Sequence, residues 1–599
     1  MDATTSAGLI VGIVLIALVR SKKNTDLLVW AGVIAMTIVP YQDSEGKIQT
    51  GILSIGEAFA ALTNEGVIAI AALFIVAAGV KETGFLGALL EASFKRRRKM
   101  EVTERFKIFG TTSLVSAFFN NTPLMAILVP TISQSSKKHG LSPSHILMPL
   151  SFAAIFGGSC TLIGTNTNLM INAWLIDTVN HKGFGIFEIT PIMLPSALLA
   201  LIGLIYLSPK ILPERLPVFR RLGDLSEHTI EMLVDEQSNM IGLTIEDAGL
   251  RGLDSLYLIE IIRRGQALAA VSANIVIEKN DVLCFVGAVS SAAELKNFDG
   301  LKAPDKRLFD FSEKANRRFL EVVISTSSSL VGKSVKDSRF RTTFSAAILA
   351  VARNGEHLKG KIGNIVLQEG DILLLEARRN LPREISGGKD FFIVSESKTK
   401  TPKFCASSFL SLGIVLGMII IVTLEFATLV TAAVVSSAAM LFFKCCSLEN
   451  ARKAIDWQVI LTIGGTLALA KAMAASGLAE LISESFLIFV PREDIYHLIA
   501  FFLLSSVASN IISSKAGALF VLPIAASTAE LLGVSLLPFV FSIMLGSSMA
   551  VSSPLTYPSN LMVYGPGGYV FQDYLRLGLP ITIITGTVGI VMINILIPF

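Results

Sequence analysis

The stretch LGSSMAVSSPLTYPSNLMVYG, residues 545–565, decides how this chain is read. It lies in a strongly apolar part of the sequence, yet its middle holds serines, a threonine, an asparagine and two prolines. Unpaired backbone in lipid costs several kcal/mol per group, so a membrane helix interrupted here is interrupted for a purpose. A second stretch answers it: GGSCTLIGTNTNLMINAW, residues 157–174, is broken by the same kinds of residue, and Asn168-Leu169-Met170 matches Asn560-Leu561-Met562. Each comes after an apolar hairpin with a polar tip. The first is SAFFNNTPLMAILVP (116–130), within 106–134, and the second is ASNIISSKAGALFVLP (508–523), within 495–530. Paired interruptions in the two halves of a chain point to a midplane binding site in a secondary transporter built from inverted repeats.

The composition agrees with a membrane α-helical fold. Of 599 residues, 52% are hydrophobic and 16% charged, against about 25% charged in soluble domains, and the mean hydropathy is +0.64. Apolar runs that read as membrane helices fall in two blocks: 7–19, 27–41, 65–80, 146–174 and 189–207, then 404–424, 428–443, 459–475, 498–512, 536–551 and 577–597. The charges of the first run come after it, in RSKKN (20–24), so it reads as a membrane helix and not as a cleaved signal. A net charge of +4 scattered along the chain argues against a nucleic-acid partner. There is no HExxH, Walker-type loop or GxSxG motif, and the five cysteines show neither metal-ligand spacing nor a disulfide framework, so nothing suggests an enzyme.

Residues 1–208 and 404–599 are therefore two membrane halves, and the charged stretch 209–403 is a soluble insert. The insert repeats itself, as 209–300 and 301–403: Gly242 matches Gly332 and Asp281 matches Asp371 (332 − 242 and 371 − 281, both 90). Each copy reads strand, Gly turn, short helix, strand and turn at IIRRG or AVARNG, then a final apolar strand after ND or GD. This pattern resembles the C-terminal lobe of RCK/TrkA regulatory domains. No GxGxxG comes after a strand, so dinucleotide binding is not expected. The α+β lobes would either brace and dimerise the protein or gate it through a small-molecule ligand. Basic loops at RSKKN, KRRRK (95–99) and KCCSLENARK (444–453), against DSEGK (43–47), put the N-terminus outside and the insert in the cytoplasm.

Half-helix N-termini present free N–H groups and partial positive charge to an anion. Unwound carbonyls with Asn, Ser and Thr oxygens suit a small hard cation such as sodium. A single asparagine has an ordinary alternative in a helix–helix hydrogen bond; for two duplicated constellations that alternative is the weaker reading. On SNLMVYGPGGYVFQDYLRLGLP (559–580), GTNTNLM (164–170) and NNTP (120–123), nearly the whole chain resembles the divalent anion–sodium symporter family, closest to sulfate-type permeases with paired RCK/TrkA lobes. The resemblance implies eleven helices, two re-entrant hairpins, a homodimer and elevator-type movement. It implies that Asn120, Asn121 and Thr122 contribute to a first sodium site, near Asn121 and Gly164, and contact the anion. Gly164, Thr165 and Asn168 then line the first break, with Ser159 and Thr161, and Ser552, Ser553 and Pro554 line the second, with Asn560.

In the family's second hairpin, the equivalent tip falls on Ser514, Lys515 and Ala516, so a lysine replaces the central asparagine. An ammonium there would stand in for a second sodium, bind the anion, or exchange a proton. The alternatives are that Lys515 snorkels to the interface, or that Asn510 holds the tip instead. Lys471, in GGTLALAKAMAASG (464–477), reads as snorkelling, and Asp573 and Arg576 as the polar start of the last helix. The expected function is secondary transport of a divalent oxyanion across the plasma membrane, sulfate before dicarboxylate, coupled to sodium and/or protons, with no covalent cofactor. A dicarboxylate symporter, an oxyanion efflux or antiport carrier and, last, a regulated channel are the other readings.

Overall fold

The computed structural model describes residues 2–599 apart from 21–24, 43–46, 86–101, 140–141, 180, 216–228, 246, 251–255, 265, 270–274, 288–297, 299, 303–316, 326–327, 345, 354–355, 359–361, 379–389, 396–405 and 492. It divides into two compact units: 1–215 with 400–599, and 216–399. The basic stretch KRRRK and most of RSKKN and DSEGK lie outside the described residues.

The first half runs α1 (Ala3–Arg20), α2 (Thr25–Ile38), a two-stranded ribbon β1 (Pro40–Gln42) and β2 (Ile48–Thr50), α3 (Ile55–Ala60), α4 (Glu65–Glu82), α5 (Val102–Ser116), α6 (Asn121–His139), α7 (Leu147–Ser159), α8 (Asn166–Val179) and α9 (Thr190–Ile211). Local chemistry sets several starts. Ser54 and Glu57 form a reciprocal capping box on α3, and the Asn64 side chain accepts from the Gly66 N–H at the start of α4. The sequence reading ends this half at 208, but α9 carries through Pro209 to Ile211. Proline removes one helical donor, and the Leu212 N–H, which donates to the Ser208 carbonyl, closes the last turn beyond it.

In the insert unit, β3 (Thr229–Val234), β4 (Leu256–Arg263), β5 (Gln266–Ala269), β6 (Val282–Gly287) and β7 (Leu301–Lys302) pair in the order β5-β4-β6-β3-β7. β8 (Arg317–Ile324), the one-turn helix α10 (Phe340–Phe344), β9 (Ala346–Arg353), β10 (Glu356–His357), β11 (Ile372–Arg378) and β12 (Phe391–Ser395) give β10-β9-β11-β8-β12, the same order five strands on. Every pairing is antiparallel. The cores correspond: Val234, Ile261, Leu283 and Phe285 in one sheet, Ile324, Val351, Leu373 and Leu375 in the other. Gly242 and Gly332 both turn with positive φ, +86° and +81°. In each lobe a buried aspartate holds an arginine: Arg263 to Asp281 at 2.8 Å, Arg353 to Asp371 at 2.7 Å. The carboxylate beside each guanidinium raises its pKa above an already high ordinary value, so both arginines stay charged.

The second membrane half runs α11 (Ala406–Thr423), α12 (Leu429–Phe442), α13 (Leu448–Ala454), α14 (Trp457–Ala475), α15 (Leu478–Phe489), α16 (Asp494–Ile511), α17 (Ser514–Leu532), α18 (Leu537–Ser548), α19 (Pro558–Tyr564) and α20 (Phe571–Leu596). Among the described residues, eight helical stretches are long and apolar enough to cross a membrane, and four shorter apolar helices accompany them. The series α5 to α9 and α16 to α20 share one plan: a helical hairpin, a broken helix and a long helix. They are interleaved. The far arm of the first break, α8, packs on α17 and α18 of the second series, and the far arm of the second, α19, packs on α6 and α7 of the first.

Candidate functional site

The first hairpin turns between Ser116 and Asn121. The Ser116 hydroxyl donates to Asn121 Oδ1 at 2.6 Å, fixing a side chain that is 3% exposed. Asn120 Nδ2 donates to Asn166 Oδ1 at 3.1 Å, and Asn120 Oδ1 accepts from the Thr122 N–H, tying the tip to the restart of the broken helix. The helix stops at Ser159 and resumes at Asn166. Inside the break the Thr161 hydroxyl donates to the Ala117 carbonyl and accepts from the Gly164 N–H. Asn168 Nδ2 donates to the carbonyls of Ser159 and Thr161, both at 3.1 Å.

The approach is backbone against backbone. A Cβ on Gly158 would stand 2.5 Å from Asn121 Oδ1 and 3.0 Å from the Gly164 carbonyl, and one on Gly164 would collide with the carbonyls of Gly158 and Ala117. Neutral oxygens from Ala117, Asn121, Gly158 and Gly164 thus converge, with no carboxylate among them. That is a donor set for a small hard cation. Among the described residues, no group of three His, Cys, Asp or Glu could hold a metal ion.

The second hairpin turns at Ile512 and Ser513, whose side chain accepts from the Ala516 N–H. Its helix restarts in step with the first: α6 and α17 are both 19 residues, and Pro130 and Pro523 stand tenth in each. This register sets Ser514 level with Asn121, and Lys515 level with Thr122. It is one position away from the count that matched Lys515 to the asparagine. The serines obey the same register. Ser116 donates to Asn121, whereas the corresponding Ser509 hydroxyl, wholly buried, has no hydrogen-bond partner among the described residues. Asn510 lies on α16, where its Oδ1 accepts from the Thr556 hydroxyl at 3.1 Å.

The two breaks hold each other. Asn560 Nδ2 donates to the Ser553 carbonyl at 3.2 Å, clamping the second break as Asn168 clamps the first. The Ser151 hydroxyl of α7 donates to Asn560 Oδ1 at 2.8 Å, and the Ser548 hydroxyl of α18 donates to Asn168 Oδ1 at 2.7 Å. Each asparagine therefore folds its own break and is aimed by a serine of the other repeat. Thr167 also donates to Ser514 at 3.3 Å, bringing the second tip onto the first break. Ser552 meets Thr582 at 3.3 Å, and Thr165, Ser553, Pro554 and Ala516 are buried. Ser151, Asn166, Ser548 and Tyr557, whose hydroxyl donates to the carbonyls of Ser547 and Ser548, were not legible in the sequence. Nothing but their place in apolar, polar-flecked runs marked them.

The sequence matches the citrate transporter family, CitMHS, over residues 13–546. The chain belongs to that family. A Chlamydomonas reinhardtii protein named as a candidate regulator of the sulfur deprivation response is 30% identical over 93% of this chain and 98% of its own. An uncharacterised Escherichia coli transporter, YfbS, is 29% identical over 92% and 94%. The Chlamydomonas sodium/sulfate cotransporter 2 is 30% identical over 60% of this chain and 42% of its own. The solved YdaH transporter of Alcanivorax borkumensis aligns over 97% and 98% of the two chains at 12% identity, with a TM-score of 0.38 that is too low to carry an argument. This member of the citrate transporter family is an integral membrane transporter and not an enzyme.

Two lysines complete the transporter's membrane unit. Lys515 is partly exposed and makes no ion pair within 4 Å among the described residues; the carboxylate acting on it is Asp456, which caps α14. As the second residue of α17, it sets a positive charge against the positive end of the helix dipole. Lys471 does not snorkel free. Its ammonium lies 2.7 Å from Asp177 Oδ2 of α8, each about a quarter exposed, an ion pair that joins the first break's far arm to α14.

Proposed function

We propose that this protein is a secondary active transporter of a divalent oxyanion, sulfate before dicarboxylates, coupled to sodium and/or protons. The observation that carries it is the reciprocal clamp: two broken helices, each folded by its own asparagine and each oriented by the opposite repeat. Four helix N-termini, at Asn121, Asn166, Ser514 and Pro558, open beside these breaks. They offer partial positive charge to an anion without requiring an arginine. Neutral oxygens around Asn121, Gly158 and Gly164 supply the sodium subsite beside it. The contact of the second tip with Thr167, inside an interrupted segment, supports the reading of two re-entrant hairpins that end near the midplane. Sulfate is preferred over citrate and dicarboxylates because sodium/sulfate cotransporters are among the relatives.

The further elements of this reading are an elevator-type movement of the hairpins and breaks against the remaining helices, a homodimer, a plasma-membrane location with the N-terminus outside, and cytoplasmic lobes of RCK/TrkA type that bind a small regulatory ligand. The absence of an asparagine at Ser514 and the unpartnered Ser509 hydroxyl favour a weakened second sodium site, with Lys515 supplying charge nearby. Uptake of labelled sulfate into proteoliposomes, with sodium and proton gradients imposed separately, tests the assignment. Wild-type protein should concentrate sulfate, Asn121→Ala should not, and Lys515→Asn should depend more strongly on sodium. If wild-type protein takes up labelled succinate and no sulfate, the substrate is a dicarboxylate; if it moves neither, the reading fails.

A further inference from the structure

The run GPGGYVFQDYLRLG (565–578) lies outside both hairpin tips and both breaks. Its core is Asp573, 2% exposed, whose carboxylate accepts the Val570 N–H at 2.9 Å and faces Arg215. Arg215 Nη1 donates to Asp573 Oδ2 at 2.6 Å and to the Gly568 carbonyl, and Nη2 reaches Asp573 Oδ1 at 3.5 Å. Arg215 is the last residue of the membrane unit before the insert. Its backbone is pinned as well: the Arg215 N–H donates to the Ser144 hydroxyl, and the Arg215 carbonyl accepts from the Ser142 hydroxyl. Tyr569 closes the knot, donating to the Ser144 carbonyl and accepting the Met148 N–H at the start of α7.

The ion pair sits at the head of a helix face that touches the second break. Along α20, residues about one turn apart meet it in succession. Tyr574 donates to the Asn560 carbonyl at 2.7 Å, a Cβ on Gly578 would stand 2.6 Å from the Val551 carbonyl, and Thr582 meets Ser552. Turning or sliding α20 would move all three at once. The charge that anchors its first turn is Asp573, and a buried carboxylate keeps its place only while it is paired.

We propose that Arg215 is a positioning residue for transport: it holds Asp573, so that the Tyr574–Gly578–Thr582 face of α20 shapes the second break around Asn560. This rests on the reading of the breaks as the transport site.

The test is hydrogen–deuterium exchange and uptake on full-length protein in nanodiscs and proteoliposomes. In Arg215→Gln, amide protection across 549–562 should fall at least about tenfold, and the KM of the transported anion should rise by a similar factor, the scale of ordinary site coupling. Arg215→Lys, which keeps the charge, should recover most of both. If Arg215→Gln does not fold, Arg215→Gln/Asp573→Asn removes the unpaired buried charge and should fold with the same loosened break. Wild-type protection at 549–562 in either variant, with loosening confined to 142–148 and 212–215, would overturn the proposal and leave Arg215 a local brace. Exchange needs no transported anion, so failure of wild-type sulfate uptake would sink the substrate reading while this test still stands.

Discussion

Adding a single methyl group at Gly164 tests the site at its tightest point. In Gly164→Ala the new Cβ falls against the Gly158 carbonyl and 2.8 Å from the Ala117 carbonyl, with Gly158 Cα also at 2.8 Å. All three are backbone atoms, so no flexible side chain can swing away. A C···O contact is comfortable at about 3.3 Å, so the break must part from the hairpin's Ala117 carbonyl by about 0.5 Å and from the Gly158 carbonyl by more. Overpacking of this kind costs roughly 1–3 kcal/mol, which a membrane unit of this size tolerates. Transport is less forgiving, since a displacement of about 1 Å at a working site can cost ~100-fold, so a shift of about 0.5 Å or more should cost at least about tenfold. The control is Gly413→Ala on α11, where a Cβ meets nothing within 4 Å. Alanine there gains up to about 1 kcal/mol of helix propensity. Both proteins should melt within a few degrees of wild type, and only Gly164→Ala should show impaired anion uptake and a raised sodium requirement. Wild-type KM for both anion and sodium in Gly164→Ala would refute the assignment of this contact to the site.

Three further outcomes are expected. Asn168→Ala and Asn560→Ala should each cut uptake by ~100-fold or more, because each loses its own clamp and orphans a buried serine of the other repeat; an Asn560→Ala protein with normal uptake would break the claimed equivalence of the two breaks. Lys471→Met should lower thermal stability by about 1–3 kcal/mol, below the 3–5 of a fully buried pair because both partners are partly wet, and adding Asp177→Leu should restore most of it; equal losses from the single and double variants would show that the pair does not couple. Arg353→Gln should destabilise the second lobe by roughly 3–5 kcal/mol, since Asp371 is wholly buried. The raised Arg353 pKa means that the pair's stabilisation is present below the ordinary arginine range and lost only above it, so denaturant midpoints of the lobes should be flat from mildly acidic to mildly alkaline pH.

The sequence alone determined the two membrane halves, the two breaks, the doubled insert and the asparagines at 168 and 560. Those features are written locally: an apolar run shows whether a segment wants lipid, and a cluster of Ser, Thr, Asn and Pro within it shows where the helix stops. The repeated lobes were equally legible, because each carries its own strand pattern and its own glycine turn and aspartate at the same spacing. Tertiary structure alone decided who aims whom. Ser151 finds Asn560 across 409 positions, and Ser548 finds Asn168 across 380. Arg215 finds Asp573, and Lys471 finds Asp177, neither of which the sequence had assigned a partner. The register of the second hairpin belongs to the same class, since the tip motif itself differs between the repeats and only the helix starts and prolines align it. The physical reason is common to all of them. Helix formation and lipid preference depend on neighbours along the chain, whereas a side chain's partner is chosen by how two interleaved repeats pack.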